Sequence, residues 1–129
     1  MARRYQDWLE QARRDLKAAR DSRRNENYEW ACFQAQQAAE KALKCLLRFH
    51  NQEPKGHTLI GLLEMVRSFA EIPAEMPFHA RELDRHYIQP RYPNGFVSGY
   101  PGQYYDEITA DRAIGFAQEI LDFVAGHVH

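Results

Sequence analysis

The sequence predicts an all-α protein: an up-and-down four-helix bundle with a short extra helix and a long Pro/Gly-rich loop before the last helix. Three observations lead there. Apolar residues recur at helical spacing along most of the chain, no segment alternates with the period of two that marks a half-buried strand, and the longest apolar stretch contains neither Gly nor Pro. That stretch, residues 30–49 (WACFQAQQAAEKALKCLLRF), is the helix the others are expected to surround. At about 100° per residue, Ala31, Ala35, Ala38, Ala39, Ala42, Leu43, Cys45, Leu46, Leu47 and Phe49 fill an arc about 200° wide, roughly twice what a surface helix needs. Its alanines allow close approach of neighbouring helices. Gln34, Gln37, Lys41, Lys44 and Arg48 take the remaining face. Glu40 precedes Lys44 by one turn, a pair worth a few tenths of a kcal/mol on a surface.

The other elements follow in order. Helix 1 is expected from about residue 4 to 21, because Tyr5, Trp8, Leu9, Ala12, Leu16 and Ala19 form a narrow stripe. The polar tract 22–27 ends it, Asn25 or Asn27 can cap the central helix, and the two helices form an antiparallel hairpin. Residues 51–56 (NQEPKG) make a turn by composition. Thr58 caps a third helix whose Leu59, Leu62, Leu63, Val66 and Phe69 keep helical spacing to about residue 70. Pro77 suits a first helical turn, so residues 78–88 form a shorter helix burying Ala80, Leu83 and Tyr87, with Pro90 ending it. Residues 90–103 (PRYPNGFVSGYPGQ) carry three prolines and three glycines, a long loop of the kind that is usually functional or flexible. The last helix is expected after Thr109 as N-cap, with Asp111 in its first turn and the stripe Ala110, Ala113, Ile114, Ala117, Ile120, Leu121 and Val124.

Bulk properties bound the function. At 129 residues the length fits one domain, residues 1–129, and 44% hydrophobic with 12% aromatic content excludes general disorder. A net charge of −1 gives no global field to recruit nucleic acid. Residues 1–24 hold a basic surplus and the last 24 an acidic one, which reads as complementary faces of adjacent helices or subunits. Cys32 and Cys45 stand about 20 Å apart on one helix, beyond disulfide reach, and two free thiols suit a reducing cytosol. No signal-like or membrane-spanning run is present, so a soluble cytoplasmic protein is expected.

Several chemistries are excluded by pattern. There is no Gly-rich run ending in Lys-Ser/Thr for a phosphate loop, Ser98 lies out of register for a nucleophile elbow, and no Glu-x-x-His pair exists for a bundle di-iron site. His79, Glu82 and His86 share one helical face and could converge on a cation, although a solvated face explains the spacing better. Arg81 and His86 supply a phosphate binder and a proton carrier, the pair a metal-independent ribonuclease wants, but on a continuous helix they diverge by about 140°. Tyr87, Arg91 and Tyr92 are more distinctive. Pro90 and Pro93 fix the backbone around Arg91, whose guanidinium can stack on the aromatics and fork onto a phosphate or carboxylate. The competing reading is that Arg91 pins the loop by pairing with Asp84 or Asp106. No metal and no cofactor is expected.

Four segments, WLEQARRDLKAA (8–19), FQAQQAAEKALKCL (33–46), HTLIGLL (57–63) and YIQPRYP (87–93), together resemble the HEPN domain family over roughly residues 5–125. The resemblance implies a dimerising helical bundle with a nucleotide-binding role or a role as partner of a minimal nucleotidyltransferase, commonly as half of a toxin–antitoxin pair. Ribonuclease members use an Arg-x4-6-His motif assembled at the dimer interface. Arg81 and His86 meet that spacing, but here the motif precedes YIQPRYP and its Arg is followed by acidic Glu82. The reading is therefore a homodimeric binding module using Arg91, Tyr92 and Tyr87. A metal-independent ribonuclease acting on RNA through Arg81 and His86 is the alternative, and a purely structural interaction protein the second.

Overall fold

A computed structural model describes residues 4–129. Its elements are α1 (Arg4–Arg24), α2 (Tyr28–Phe49), α3 (Leu59–Val66), α4 (Met76–Asp84), a 3-10 turn (Pro93–Gly95), α5 (Pro101–Tyr104) and α6 (Glu107–Ala125), with no strand among the described residues. The three long helices α1, α2 and α6 pack against one another, and the short pair α3 and α4 closes the fourth side, α3 mainly on α2 and α4 mainly on α6.

Helix α2 is enclosed as its wide apolar arc requires. Ala31, Ala35, Ala38, Ala39, Ala42, Leu43, Cys45, Leu46 and Leu47 are fully buried, and Phe49 packs edge-on against Tyr5 at 5.0 Å between centroids. The enclosure extends past the arc to Cys32, Gln36 and Glu40. Glu40 was expected in a surface pair with Lys44; its carboxylate is instead covered, so the pair forms at 2.8 Å within the fold. Both cysteines are free and buried, and burial pushes their thiols up to about 12 for Cys32 and about 11 for Cys45.

Most corrections to the predicted elements lie at helix ends. Helix α1 continues through the polar tract to Arg24 and closes with Glu26 in the left-handed region at φ 64°, where the Asn27 amide donates to Ser22 O at 2.8 Å and the Glu26 amide to Arg23 O at 3.0 Å. Asn27 then precedes α2, but its side chain makes no capping bond. Helix α2 closes the same way at Asn51, φ 60°. Thr58 caps α3 as expected, accepting from the Gly61 amide at 3.2 Å, but α3 stops at Val66, short of residue 70. Helix α4 runs from Met76 to Asp84 rather than from 78 to 88, giving way to tighter turns in which the His86 and Tyr87 amides reach back three residues to Leu83 O and Asp84 O, and the Asp84 carboxylate accepts the Leu59 and Ile60 amides at the start of α3, at 2.8 and 3.2 Å. Ala80 and Leu83 are buried as predicted, while Tyr87, beyond the helix, is half-buried.

The Pro/Gly-rich segment is not a continuous loop. Pro93 and Pro101 each open a short helical turn, since a first-turn proline lacks only an N–H that would be unpaired anyway. Gly99 between them has φ 83°, and a Cβ there would clash with Gln103 Oε1, so only glycine fits. Helix α6 is capped by Asp106, not Thr109: Asp106 accepts from the Thr109 amide at 2.8 Å, a bond that holds its carboxyl below the usual range. All seven residues of the predicted α6 stripe are buried. Asp111, freed from the first turn, pairs with Arg23 at 2.8 Å, and Glu107 joins it at 2.5 Å. The basic and acidic ends of the chain therefore meet within the bundle; Arg3 lies outside the described residues. No described helix is long and apolar enough to cross a membrane.

Candidate functional site

After Asp84 the chain turns repeatedly, held by the His86 amide on Leu83 O (2.8 Å), the Tyr87 amide on Asp84 O (3.2 Å) and the Arg91 amide on Ile88 O (3.0 Å), with Pro90 fully buried as the anchor. This delivers Arg91 to the N-terminal half of α2. Its Nε donates to Tyr87 O at 2.9 Å, and its guanidinium carbon lies 4.3 Å from the ring centre of Phe33, 5.1 Å from Tyr87 and 5.4 Å from Tyr92. Phe33 is braced edge-on by Trp30, with 6.1 Å between ring centres. The three predicted residues Tyr87, Arg91 and Tyr92 thus come together, joined by Phe33. The pairing of Arg91 with Asp84 or Asp106 does not form: among the described residues no carboxylate lies within ion-pair distance of Arg91, because Asp84 caps α3 and Asp106 caps α6. A cation held by ring faces and one carbonyl, with no counter-ion, has a fixed direction and unspent hydrogen-bond donors.

Tyr87 is itself held from behind. Its ring stacks on His57 at 5.8 Å and 11°; His57 Nδ1 lies 2.8 Å from Glu40 Oε2, which also accepts from Lys44 Nζ at 2.8 Å. Gln36 Nε2 donates to His57 O at 3.3 Å. Sequence reasoning missed Phe33 and His57 as parts of this site, and it read Glu40 only as half of a surface pair with Lys44. A signal existed for Phe33, a large aromatic lying outside the apolar arc of its helix, and for Glu40 in its spacing to Lys44, but none pointed His57 at them.

Arg81 and His86 are differently placed. His86 lines a cleft of about 290 Å³ between α4, α6 and the Pro/Gly-rich segment, together with Arg85, Gln89, Phe96, Tyr104 and Arg112. Its Nδ1 lies 3.2 Å from the Tyr105 hydroxyl, and burial, aided by Arg85, pulls its pKa down to about 4, so the imidazole is neutral at neutral pH. Arg81 is exposed and does not line this cleft. The shared face of His79, Glu82 and His86 is neither solvated nor convergent. His79 is buried and stacked flat on Phe116 at 4.2 Å, while Glu82 turns to Arg85 and Arg112. Among the described residues no three His, Cys, Asp or Glu side chains stand close enough to hold a metal.

Comparison with known proteins places this geometry in context. A crystal structure of TT1696 from Thermus thermophilus is similar with a TM-score of 0.95 and 40% identity, over 97% of this chain and 98% of that one. ST0689, described as an archaeal HEPN homologue, matches with a TM-score of 0.84 and 40% identity over 98% and 99% of the two chains. An HEPN domain protein, tm0613 from Thermotoga maritima, matches with a TM-score of 0.77 and 32% identity over 93% and 95%. No curated protein matches the chain. The sequence profile of the HEPN domain covers residues 5–127, and with these full-length structural likenesses the chain belongs to the HEPN domain family.

Proposed function

We propose that this HEPN domain protein is a non-catalytic nucleotide-binding module that works as a homodimer and partners a minimal nucleotidyltransferase, as half of a toxin–antitoxin pair. The observation that carries the reading is the Arg91 guanidinium, oriented by Phe33, Tyr87 and Tyr92 and left without a carboxylate among the described residues. A guanidinium so held offers a planar fork to a phosphate. Tyr92 is half-exposed, free to lie against a base. Trp30, Tyr100, Tyr104 and Ile108 are also large and exposed, apolar surface that a second copy of the chain would cover. Ribonuclease chemistry by Arg81 and His86 is less favoured, since Arg81 stays outside the cleft that His86 lines and a second chain would have to supply it.

Nucleotide titration of the wild type and Arg91→Ala, with and without the partner enzyme, tests the binding half; the variant is expected to bind about tenfold or more weakly. Equal affinity would overturn it. Light scattering showing a monomer at micromolar concentration would remove the dimer. RNA cleavage that survives EDTA and vanishes in His86→Ala would replace the whole reading with the nuclease.

A further inference from the structure

Helices α1 and α6 lie side by side in opposite directions and are clamped together at both ends. At one end Arg23 pairs with Asp111 and Glu107, and at the other the Tyr5 hydroxyl donates to His129 O at 2.8 Å. Between the clamps their outer sides part into two clefts of about 380 and 360 Å³, which share Arg13 and so form one groove. From Tyr5 to Arg20 it follows α1 for about 22 Å, roughly four turns. The floor is apolar, made of the buried Leu9 and Leu16 from α1 and Leu121 from α6. The walls differ in charge. Arg13, Lys17, Arg20 and Arg24 recur at i, i+4, i+7 and i+11, within about 60° of one another around α1, and the first three line the groove. Their acids stand further round, away from the floor: Glu10 meets Arg13 at 3.0 Å, and Asp21 is shared between Lys17, at 2.8 Å, and Arg24. Arg20 meets the neutral Gln118 side chain of the opposite wall, where Gln118 Nε2 also donates to Asp122 at 2.9 Å.

We infer that this groove docks an amphipathic helix of a protein partner, its apolar stripe on Leu9, Leu16 and Leu121 and a row of Asp or Glu along the edge facing Arg13, Lys17 and Arg20. A channel between two packed helices, a few turns long and apolar along its floor, has the shape that receives the apolar face of a third helix. Charge sets which helix. On the α1 wall four cations share Glu10 and Asp21, and both acids lie on the solvent side, so the positive charge faces the groove. The α6 wall offers Gln118 and Asp122, so acids on both edges of the incoming helix would be opposed on one side. A nucleic-acid strand would use the cations but not the apolar floor. Because the clamps hold the walls in place, little ordering is needed on docking. The groove shares no residue with the Arg91 cradle and stands or falls independently of it.

Fluorescence anisotropy of the full-length chain with a labelled synthetic helix of about 18 residues tests the inference, the peptide carrying Leu at i, i+3, i+4 and i+7 and Glu along one edge of that stripe. Micromolar binding is expected, with a shuffled peptide of the same composition about tenfold weaker or worse. Lys17→Glu combined with Arg20→Glu should weaken the ordered peptide about tenfold, and Ala125→Trp, which narrows the groove without changing its charge, by a similar factor. All three positions are exposed, so the variants should fold, which circular dichroism verifies. Amide shifts in the labelled protein should change along residues 9–20 and 118–125. No binding at about 100 μM would overturn the docking site, as would equal affinity for the shuffled peptide or shifts confined to another face. Heparin or phosphatidylglycerol vesicles binding as tightly as the peptide, with no loss in Ala125→Trp, would replace the helix by a polyanion or a membrane. A change of oligomeric state in Ala125→Trp by light scattering would give the groove to a second copy of the chain.

Discussion

Glu40 and Arg91 both sit against the polar side of α2, yet the fold treats them in opposite ways. Glu40 is surrounded by matched groups: Gln37 Nε2 and Gln36 Nε2 face one oxygen at 3.3 and 3.5 Å, and Lys44 Nζ and His57 Nδ1 meet the other at 2.8 Å each. Arg91 receives three rings, one carbonyl and no carboxylate among the described residues. A buried charge compensated on every side belongs to the architecture. A charge that is aimed but uncompensated is available to something arriving from outside. The cleft beside α4 and α6 stands between these two cases, since there Arg85 and Arg112 share one acid.

The comparison can be broken first at Glu40. Glu40→Ala should lower unfolding free energy by about 3 kcal/mol in urea titrations, because Lys44 is left half-buried without its partner. A loss below about 1 kcal/mol would mean the cluster is not structural. The next effect belongs to His86 and depends on pH. Its pKa falls from 6.5 to about 4 on folding, so the unfolded chain binds the proton more readily across that window. Stability from this group is therefore complete above about pH 6.5 and drains away as pH falls towards 4, on the order of 3 kcal/mol. His86→Gln should flatten that slope in denaturation series run at successive pH values. Arg91→Ala should cost no more than about 1 kcal/mol of stability, since only stacking and one hydrogen bond are lost, and under the proposed nucleotide-binding role it should remove most of that affinity. A large stability loss would make Arg91 a second Glu40. The smallest effect lies far from both sites: Glu26→Gly removes a left-handed non-glycine residue and should raise stability by about 0.5 kcal/mol without changing binding.

What could be read from the sequence was what is local or periodic. The arc on α2 and the stripe on α6 were legible because a buried face repeats every turn whatever covers it. Tyr87, Arg91 and Tyr92 were legible as a group because proximity in sequence places them together in space. Helix ends were read less well, since a cap need not come from a neighbour: Asp84, the last residue of α4, caps α3 from 25 positions away. Thr109 has the right chemistry for an N-cap and lost to Asp106, whose carboxylate is already in place three residues earlier. The i, i+4 spacing of Glu40 and Lys44 announced a pair but not its depth, because depth is set by His57 and its loop crossing above them. Phe33 completes the Arg91 cradle from a different helix, and no linear pattern connects the two.

Asp84 joins α3 to α4 as a rivet joins two plates. It closes one helix and holds the opening amides of another, so the stretch carrying His86 and Arg91 swings from a pinned corner instead of a slack tether. Arg91 is thus anchored twice over, through Asp84 to the start of α3 and through Phe33 to α2 itself, so its guanidinium is held on rigid supports rather than on a free segment of chain.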